Sequence, residues 1–408
     1  MQSHLTSTAL VVGGGPAGLM AAERLAGAGI AVTVAEQMPS PGRKLLLAGR
    51  GGLNLTHSEP LPAFLERYGD VDERLVAAVR AFDPAVLRAW AAGLGEPTFV
   101  GTSGRVFPES LRANDLLRAW LGRLESLGVV IRTGVRWCGW SDDGHELRDV
   151  GTGQVEAVHP DVAVLALGGA SWPRVGSDGE WVATLRSEGV AVTDLRAANC
   201  GVDVVWTDLF AERFAGEPIK NVSLTVAGRT VRGELMVTEH GLEGGAVYAL
   251  SRELRGALDV GAPIVVHVDL RPDLDVDAIV ARLGRRRPKE SVSTSLQRSV
   301  GLPPVAVGLL RDATGNQMPG DPDVLAALIR NVPVRVEGLA PLERAISTAG
   351  GLRFDQLDEH LMLRSRPGTF VAGEMLDWDA PTGGYLLQAS FATGVAAADG
   401  ALEWMRRR

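Results

Sequence analysis

Cysteine is scarce in this chain: Cys138 and Cys200 are the two in 408 residues. They make no CxxC pair, so neither a disulfide framework nor a redox-active dithiol is expected. Seven histidines are scattered, and no two stand at a metal-ligand spacing. No metal is expected. Apolar runs stay well short of the ~20 residues needed to cross a bilayer, so no membrane partner is expected. The opening residues MQSHLTST have no basic region followed by an apolar core. No secretory signal is read, and the cytoplasm is the expected location. Aromatic residues make up only 5% and are not interleaved with basic ones, and the net charge is −8. That balance argues against general nucleic-acid binding, and no nucleic-acid partner is expected.

What is present centres on Leu10 to Glu36, LVVGGGPAGLMAAERLAGAGIAVTVAE. Ala9–Val12 is an apolar run that reads as a first strand. Gly13-x-Gly15-x-x-Gly18 follows as a turn. Gly13 allows the bend, Gly15 has no Cβ to hold a pyrophosphate away, and Gly18 lets a helix pack closely on the sheet. The helix starts near Pro16, where a missing N–H costs nothing. Ala17, Ala21, Ala22 and Ala26 keep one side small, and Gly27 and Gly29 stop it. Its free N–H groups and positive dipole end suit phosphate. Ile30–Ala35 reads as the second strand, closed by Glu36. A carboxylate there accepts hydrogen bonds from ribose hydroxyls, which favours FAD or NAD over NADP.

Further along, residues 39–59 (PSPGRKLLLAGRGGLNLTHSE) crowd glycines with Arg43, Lys44, Arg50, Asn54 and Thr56. The segment reads as a loop at the carboxyl edge of the sheet, suited to phosphate or an anionic ring. Residues 60–128 read as helical, with a hairpin or loop at Phe99–Pro108. Asn114 and Asp115 read as a cap before a helix Leu116–Leu127. Val129–Val135 reads as a strand, followed by a small antiparallel excursion around Asp142-Asp143-Gly144. Asp161–Leu167 is nearly all apolar, as expected for a strand buried on both faces, and ends in Gly168-Gly169. From Asn199 the pattern alternates, then becomes helical and arginine-rich. The run Arg285-Arg286-Arg287 reads as a solvated helix end. Residues 199–340 are taken as one insertion with β and helical parts, flanked by 1–198 and 341–408. After it come another apolar strand at Thr369–Ala372, then Gly373-Glu374, then Gly383-Gly384 opening a helix of small residues. A helix start aimed at a flavin would stabilise the negative charge that builds on reduction.

The motifs VVGGGPAGLMAA, PGRKLLLAGRGGLNLTHSE, ALGGASWPRVGSDG, GELMVTEHGLEGG and STAGG…VAGEMLDWDAPTGGYLLQASFATG span nearly the whole chain. In order and spacing they resemble a bacterial FAD-dependent flavoprotein family that includes aminoacetone oxidase and a bile-acid 3-dehydro-4,6-reductase. The resemblance implies an α/β fold: a Rossmann-like, glutathione-reductase-like FAD-binding domain with an inserted β-barrel-like plus helical region. It also implies a non-covalent FAD. By it, Gly13, Gly15, Pro16, Ala17, Gly18 and Glu36 hold the ADP half. Arg43, Lys44, Arg50, Gly51, Gly52 and Asn54 line the path to the flavin. Val135 lies beside adenine, and Gly168 and Gly169 lie at the crossover. Gly373 and Glu374 reach the ribityl region, and Gly384, Tyr385 and Leu386 cover the isoalloxazine. The chain departs from the family at Gly52-Leu53-Asn54, Glu243-Gly244-Gly245 and Tyr385-Leu386.

Function follows as an expectation. One fingerprint is present, without a second nucleotide-binding domain. The first reading is an FAD-dependent oxidoreductase in which NAD(P)H reduces the flavin, which then reduces a small organic substrate. The close alternative is an oxidase of a small amine or amino ketone that releases peroxide. An RNA-associated flavoprotein and a non-catalytic FAD scaffold rank below. Arg50, His57 and Tyr385 are the candidate catalytic side chains.

Overall fold

The computed structural model describes residues 7–49, 51–141 and 144–408. Arg50 and the turn residues Asp142 and Asp143 lie outside the described residues. Thr8–Val12 forms strand β1, Pro16–Gly27 helix α1, Ala31–Glu36 strand β2 and Arg43–Ala48 helix α2. Val130–Thr133 is β3 and Val162–Leu165 is β4. Val202–Val204 (β5), Pro218–Val226 (β6), Arg229–Val237 (β7), Gly241–Glu243 (β8), Ile264–Asp269 (β9) and Val332–Leu339 (β10) follow. Thr369–Val371 is β11 and Tyr385–Arg406 is helix α3.

Five strands make one sheet in the order β11-β4-β1-β2-β3. Every pairing is parallel, with Val12 opposite both Leu165 and Ala35. Parallel strands need both faces covered, which is why β4 is buried at every position. Because the strands run one way, Gly13, Glu36 and Gly168 all leave the sheet at the same edge. α1 starts with Pro16 at its first position and ends where Gly29 takes φ +86°, with Ile30 N–H donating back to Leu25 O. α1 and α3 pack at very close range: a Cβ on Gly394 would lie 2.3 Å from Ala17 O. The small residues of α3 are therefore needed by this crossing. Leu19, Leu25 and Phe391 are fully buried in the surrounding core, and each contributes about 1.5–3 kcal/mol.

Two compact units result. Residues up to Arg196 together with Ser347–Arg408 form one, and Ala197–Ile346 form the other. The second contains a closed barrel in the order β5-β8-β7-β6-β9-β10, closed by β10 on β5. Its own core holds Val222, Leu235, Val266 and Val336, with helices such as Pro304–Ala313 packed outside.

Some local expectations change. The segment read as a loop contains α2. Asn114 and Asp115 lie inside the first turn of a helix Ala113–Ser126, whose N-cap is Arg112. The strand read over Val129–Val135 breaks at Gly134, where φ is +69°, and Val135–Trp140 pairs instead with His145–Asp149. Helices Asp208–Phe214, Gly245–Ala249 and Ser251–Val260 interrupt a region read as strands alone.

Candidate functional site

A cavity of about 340 Å³ opens at the carboxyl edge of the five-stranded sheet, within the first unit. That size is in the range of small-molecule sites. Its floor is the glycine turn. Gly13 takes φ +104°, and a Cβ there would lie 2.3 Å from Ala166 O, so the turn is seated on the end of β4. A Cβ on Gly18 would lie 1.9 Å from Gly13 O, which brings α1 onto the turn. Gly15 is different: nothing stands within 4 Å of where its Cβ would be. It lines the cavity, together with Pro16 and Ala17 at the uncapped start of α1. Open space beside free helix amides fits a pyrophosphate.

Glu36 lines the next stretch and is buried. Its carboxylate accepts the Gly14 N–H at 2.8 Å and the Met38 N–H at 2.7 Å. Burial pushes its carboxyl up, opposed by those two N–H groups and by the Arg43 charge. The remaining lone pairs suit ribose hydroxyls. Over this end passes the segment Val175–Asp178. Gln37 Nε2 donates to Gly176 O at 2.8 Å, and Arg136 donates to Asp178 at 3.2 Å and also to Glu180. Val135, Arg136, Trp137 and Cys138 complete that wall.

Lys44 and Glu374 form the far side. Lys44 Nζ donates to Glu374 Oε2 and to Ser171 Oγ, both at 2.7 Å. Glu374 also accepts the Thr348 N–H at 2.9 Å and the Gly169 N–H at 3.3 Å. Two groups lining the cavity, Ser177 Oγ and Arg43 Nε, are buried without a partner among the described residues. A buried polar group without a partner is costly, and a polar ligand in the cavity relieves that cost. The donor set, the glycine cradle and the acid together fit an FAD.

The structure brings Gly13, Gly15, Pro16, Ala17, Glu36, Arg43, Lys44, Val135, Gly168, Gly373 and Glu374 to this one cavity. Gly18 and Gly169 support it from behind. Gly51, Gly52, Asn54, His57, Gly384, Tyr385 and Leu386 do not line it. A second cluster forms at the start of α3, where Gly384 lies against Thr56 and the His57 ring stacks on Tyr385 at 5.7 Å. His57 is held between Ser103 O and the Glu59 N–H. The Tyr385 hydroxyl is turned onto Glu59. Reading from sequence missed Gln37, Ser171, Ser177, Asp178 and Thr348, although three of these stand in the ALGGASWPRVGSDG motif.

The profile of the HI0933-like protein Rossmann domain family matches residues 7–400. The chain belongs to that family. Among curated proteins, the HI0933-like chain is similar to the 3-dehydro-bile acid delta(4,6)-reductase of Clostridium scindens. The two are 27% identical over 411 aligned positions, covering 96% of this chain and 98% of that protein. It is also similar to the ribosomal RNA dihydrouridine synthase of Escherichia coli, 25% identical over 403 positions and 96% of each protein. Among solved structures, an open flavocytochrome c3 fumarate reductase overlays with a TM-score of 0.54 at 15% identity, covering 99% of this chain and 79% of that one. This last likeness is one of fold. The expected class, an α/β Rossmann-like domain with a β-barrel-containing insertion, is the architecture present. No helix among the described residues is long and apolar enough to cross a membrane.

Proposed function

We propose that this FAD-dependent oxidoreductase saturates a carbon–carbon double bond conjugated to a carbonyl, in a small organic substrate, with NAD(P)H as the electron source. The observation that carries the reading is a chemical agreement between relatives matched over nearly their full length. A Δ4,6 bond system beside a 3-keto group and the uracil double bond beside its C4 carbonyl are the same kind of activated alkene. FAD, when bound and reduced by NAD(P)H, would supply the hydride, and water would supply the proton that completes the saturation. The chain's residues do the holding. Gly15 and the first amides of α1 take the pyrophosphate, and Glu36 takes the ribose hydroxyls. Lys44 and Glu374, now paired with each other, are polar groups available to the ribityl chain and phosphates. The single fingerprint implies that NAD(P)H docks without a Rossmann domain of its own.

A second reading, an RNA uridine as the alkene, is favoured by the dihydrouridine synthase relatives. It is also favoured by exposed Arg285, Arg286, Arg287 and Lys289 in the second unit. The net charge of −8 weighs for the small substrate.

The test is the visible spectrum of the FAD-loaded protein under anaerobic conditions, with NADH and then NADPH added. Bleaching, followed by recovery of the yellow colour with a 3-keto-4,6-diene steroid or another enone, is expected. Recovery with uridine-containing RNA alone moves the reading to the second substrate. A flavin that stays yellow with both nucleotides sinks the reductase and leaves the amine oxidase, checked by peroxide release. Failure to take up FAD overturns the whole reading.

A further inference from the structure

We propose that residues 171–178 are a strap latched across the nucleotide end of the cavity, and that release of this latch sets the rate at which FAD enters and leaves. The inference rests on the FAD reading above. The strap follows the crossover glycines after β4, and both of its roots are tied near that crossover. Ser171 Oγ accepts from Lys44 Nζ at 2.7 Å, and the Ala170 N–H donates to Thr348 Oγ1 at 2.9 Å. Past the strap, Trp181 opens a helix Trp181–Ser187, and its indole N–H donates back to Gly168 O at 2.9 Å.

The middle of the strap is fastened elsewhere. Gln37, one residue beyond β2, donates through Nε2 to Gly176 O at 2.8 Å and to Asp178 Oδ2 at 3.3 Å. Arg136, beyond β3, donates to the same Asp178 oxygen at 3.2 Å and also to Glu180. In the sheet, β1 lies between β4 and β2. A segment rooted after β4 and fastened beyond β2 and β3 therefore crosses the end of β1, where the glycine turn begins. Val175, Gly176, Ser177 and Asp178 all line the cavity. Ser177 Oγ is buried there without a partner among the described residues. A ligand whose ADP half runs from the glycine turn to Glu36 lies beneath the strap and must displace it to pass.

The fastening is of a kind that can be undone. None of the described residues from Trp172 to Glu180 belongs to the hydrophobic core of the first unit. The hold is polar, and the Arg136 and Asp178 side chains are 33% and 20% exposed. Such contacts exchange for water at small net cost. Trp172, Gly176 and Gly179 take φ +62°, +99° and +70°. These bends are where backbone rotation can swing the strap. The latch joins protein to protein, not protein to ligand. Breaking it costs the same on the way in as on the way out, so it raises both barriers and leaves the balance between them unchanged.

The experiment follows FAD uptake by the apoprotein of the full chain in stopped flow, through the change in flavin fluorescence. Release is followed by capture on an excess of an apoflavoprotein trap. Wild type is compared with Gln37→Ala, Asp178→Asn and Arg136→Gln, and with Ser177→Ala, which alters the strap but not the latch. Each latch variant should speed both entry and release about fivefold, with the dissociation constant kept within about twofold. Ser177→Ala should speed release and leave entry as in wild type. Latch variants that bind FAD with unchanged or slower entry overturn the inference and leave the FAD reading standing. If Ser177→Ala speeds entry as much as they do, general loosening of the strap is the cause and the latch falls. If wild type takes up no FAD, both readings fall together. Should Arg136→Gln fail to fold, Gln37→Ala and Asp178→Asn decide the question.

Discussion

Gly13, Gly15 and Gly18 stand in one motif and answer to different neighbours. Gly13 and Gly18 are required by the protein itself, because a Cβ at either meets a backbone oxygen. Gly15 faces open cavity. Gly13→Ala should therefore destabilise the apoprotein by about 1–3 kcal/mol or more, through backbone strain. Gly15→Ala should leave the unfolding free energy of the apoprotein within about 1 kcal/mol of wild type, yet weaken FAD binding at least tenfold. Urea melts and a fluorescence titration with FAD separate the two. Cys138 offers a second residue-level check, since it lines the cavity half-buried while Cys200 is buried elsewhere. Maleimide should label one thiol in the apoprotein, and FAD should slow that labelling. Unslowed labelling would mean that the cofactor does not run along the 135–138 wall. The glycines and Glu36 were legible in sequence because each meets a local backbone need within one βαβ unit. The Lys44–Glu374 pair was legible only as two separate residues, because 330 positions divide its members. Arg50 lies outside the described residues.

Among elements, the parallel strands were the easiest to read, since burial on both faces forces a continuous apolar run. β4 and β11 are the clear cases. α2 was hidden by the glycines that flank it. Its six residues give too little periodicity to stand out. The short helices around the barrel were masked for the same reason, by the alternating strands on either side. The three-stranded sheet Val135–Trp140, His145–Asp149 and Val155–Val158 was read as a smaller excursion. It holds a titratable group whose effect can be measured. His145 accepts the Trp137 indole N–H at 3.2 Å, and burial, with a lesser contribution from Arg366, lowers its pKa to about 4. Above pH 6.5 the imidazole is neutral in folded and unfolded chains alike, and full stability is present. Below 6.5 the unfolded chain takes up a proton that the native chain refuses, so stability falls until about pH 4. Between pH 7.5 and 5, wild type should lose about 2 kcal/mol more than His145→Gln. Urea unfolding at both values tests this, and equal losses would remove His145 from the account.

For the whole molecule, each unit has its own large core, and every residue lining the cavity belongs to the first. Ligand that binds one folded unit stabilises that unit by mass action. FAD at a hundredfold excess over its dissociation constant adds about 2.7 kcal/mol. Calorimetry should show the transition of the nucleotide unit rising with FAD concentration, with the larger shift on that transition. A single transition that FAD leaves unmoved would contradict the site.

The chain leaves the nucleotide unit after Arg196 and re-enters it at Ser347. β11, Glu374 and α3 all lie on the returning stretch. On a ribosome, β1 through β4 emerge first but wait, without their last strand or the helix that covers α1, while the entire barrel is made. Domains fold as they are synthesised, so the barrel can be complete before the nucleotide cavity has all its walls. Acquisition of the cofactor is thereby placed after the barrel has been made. Until Ser347 and the residues after it have been made, the newborn chain is a protein that cannot yet hold a flavin.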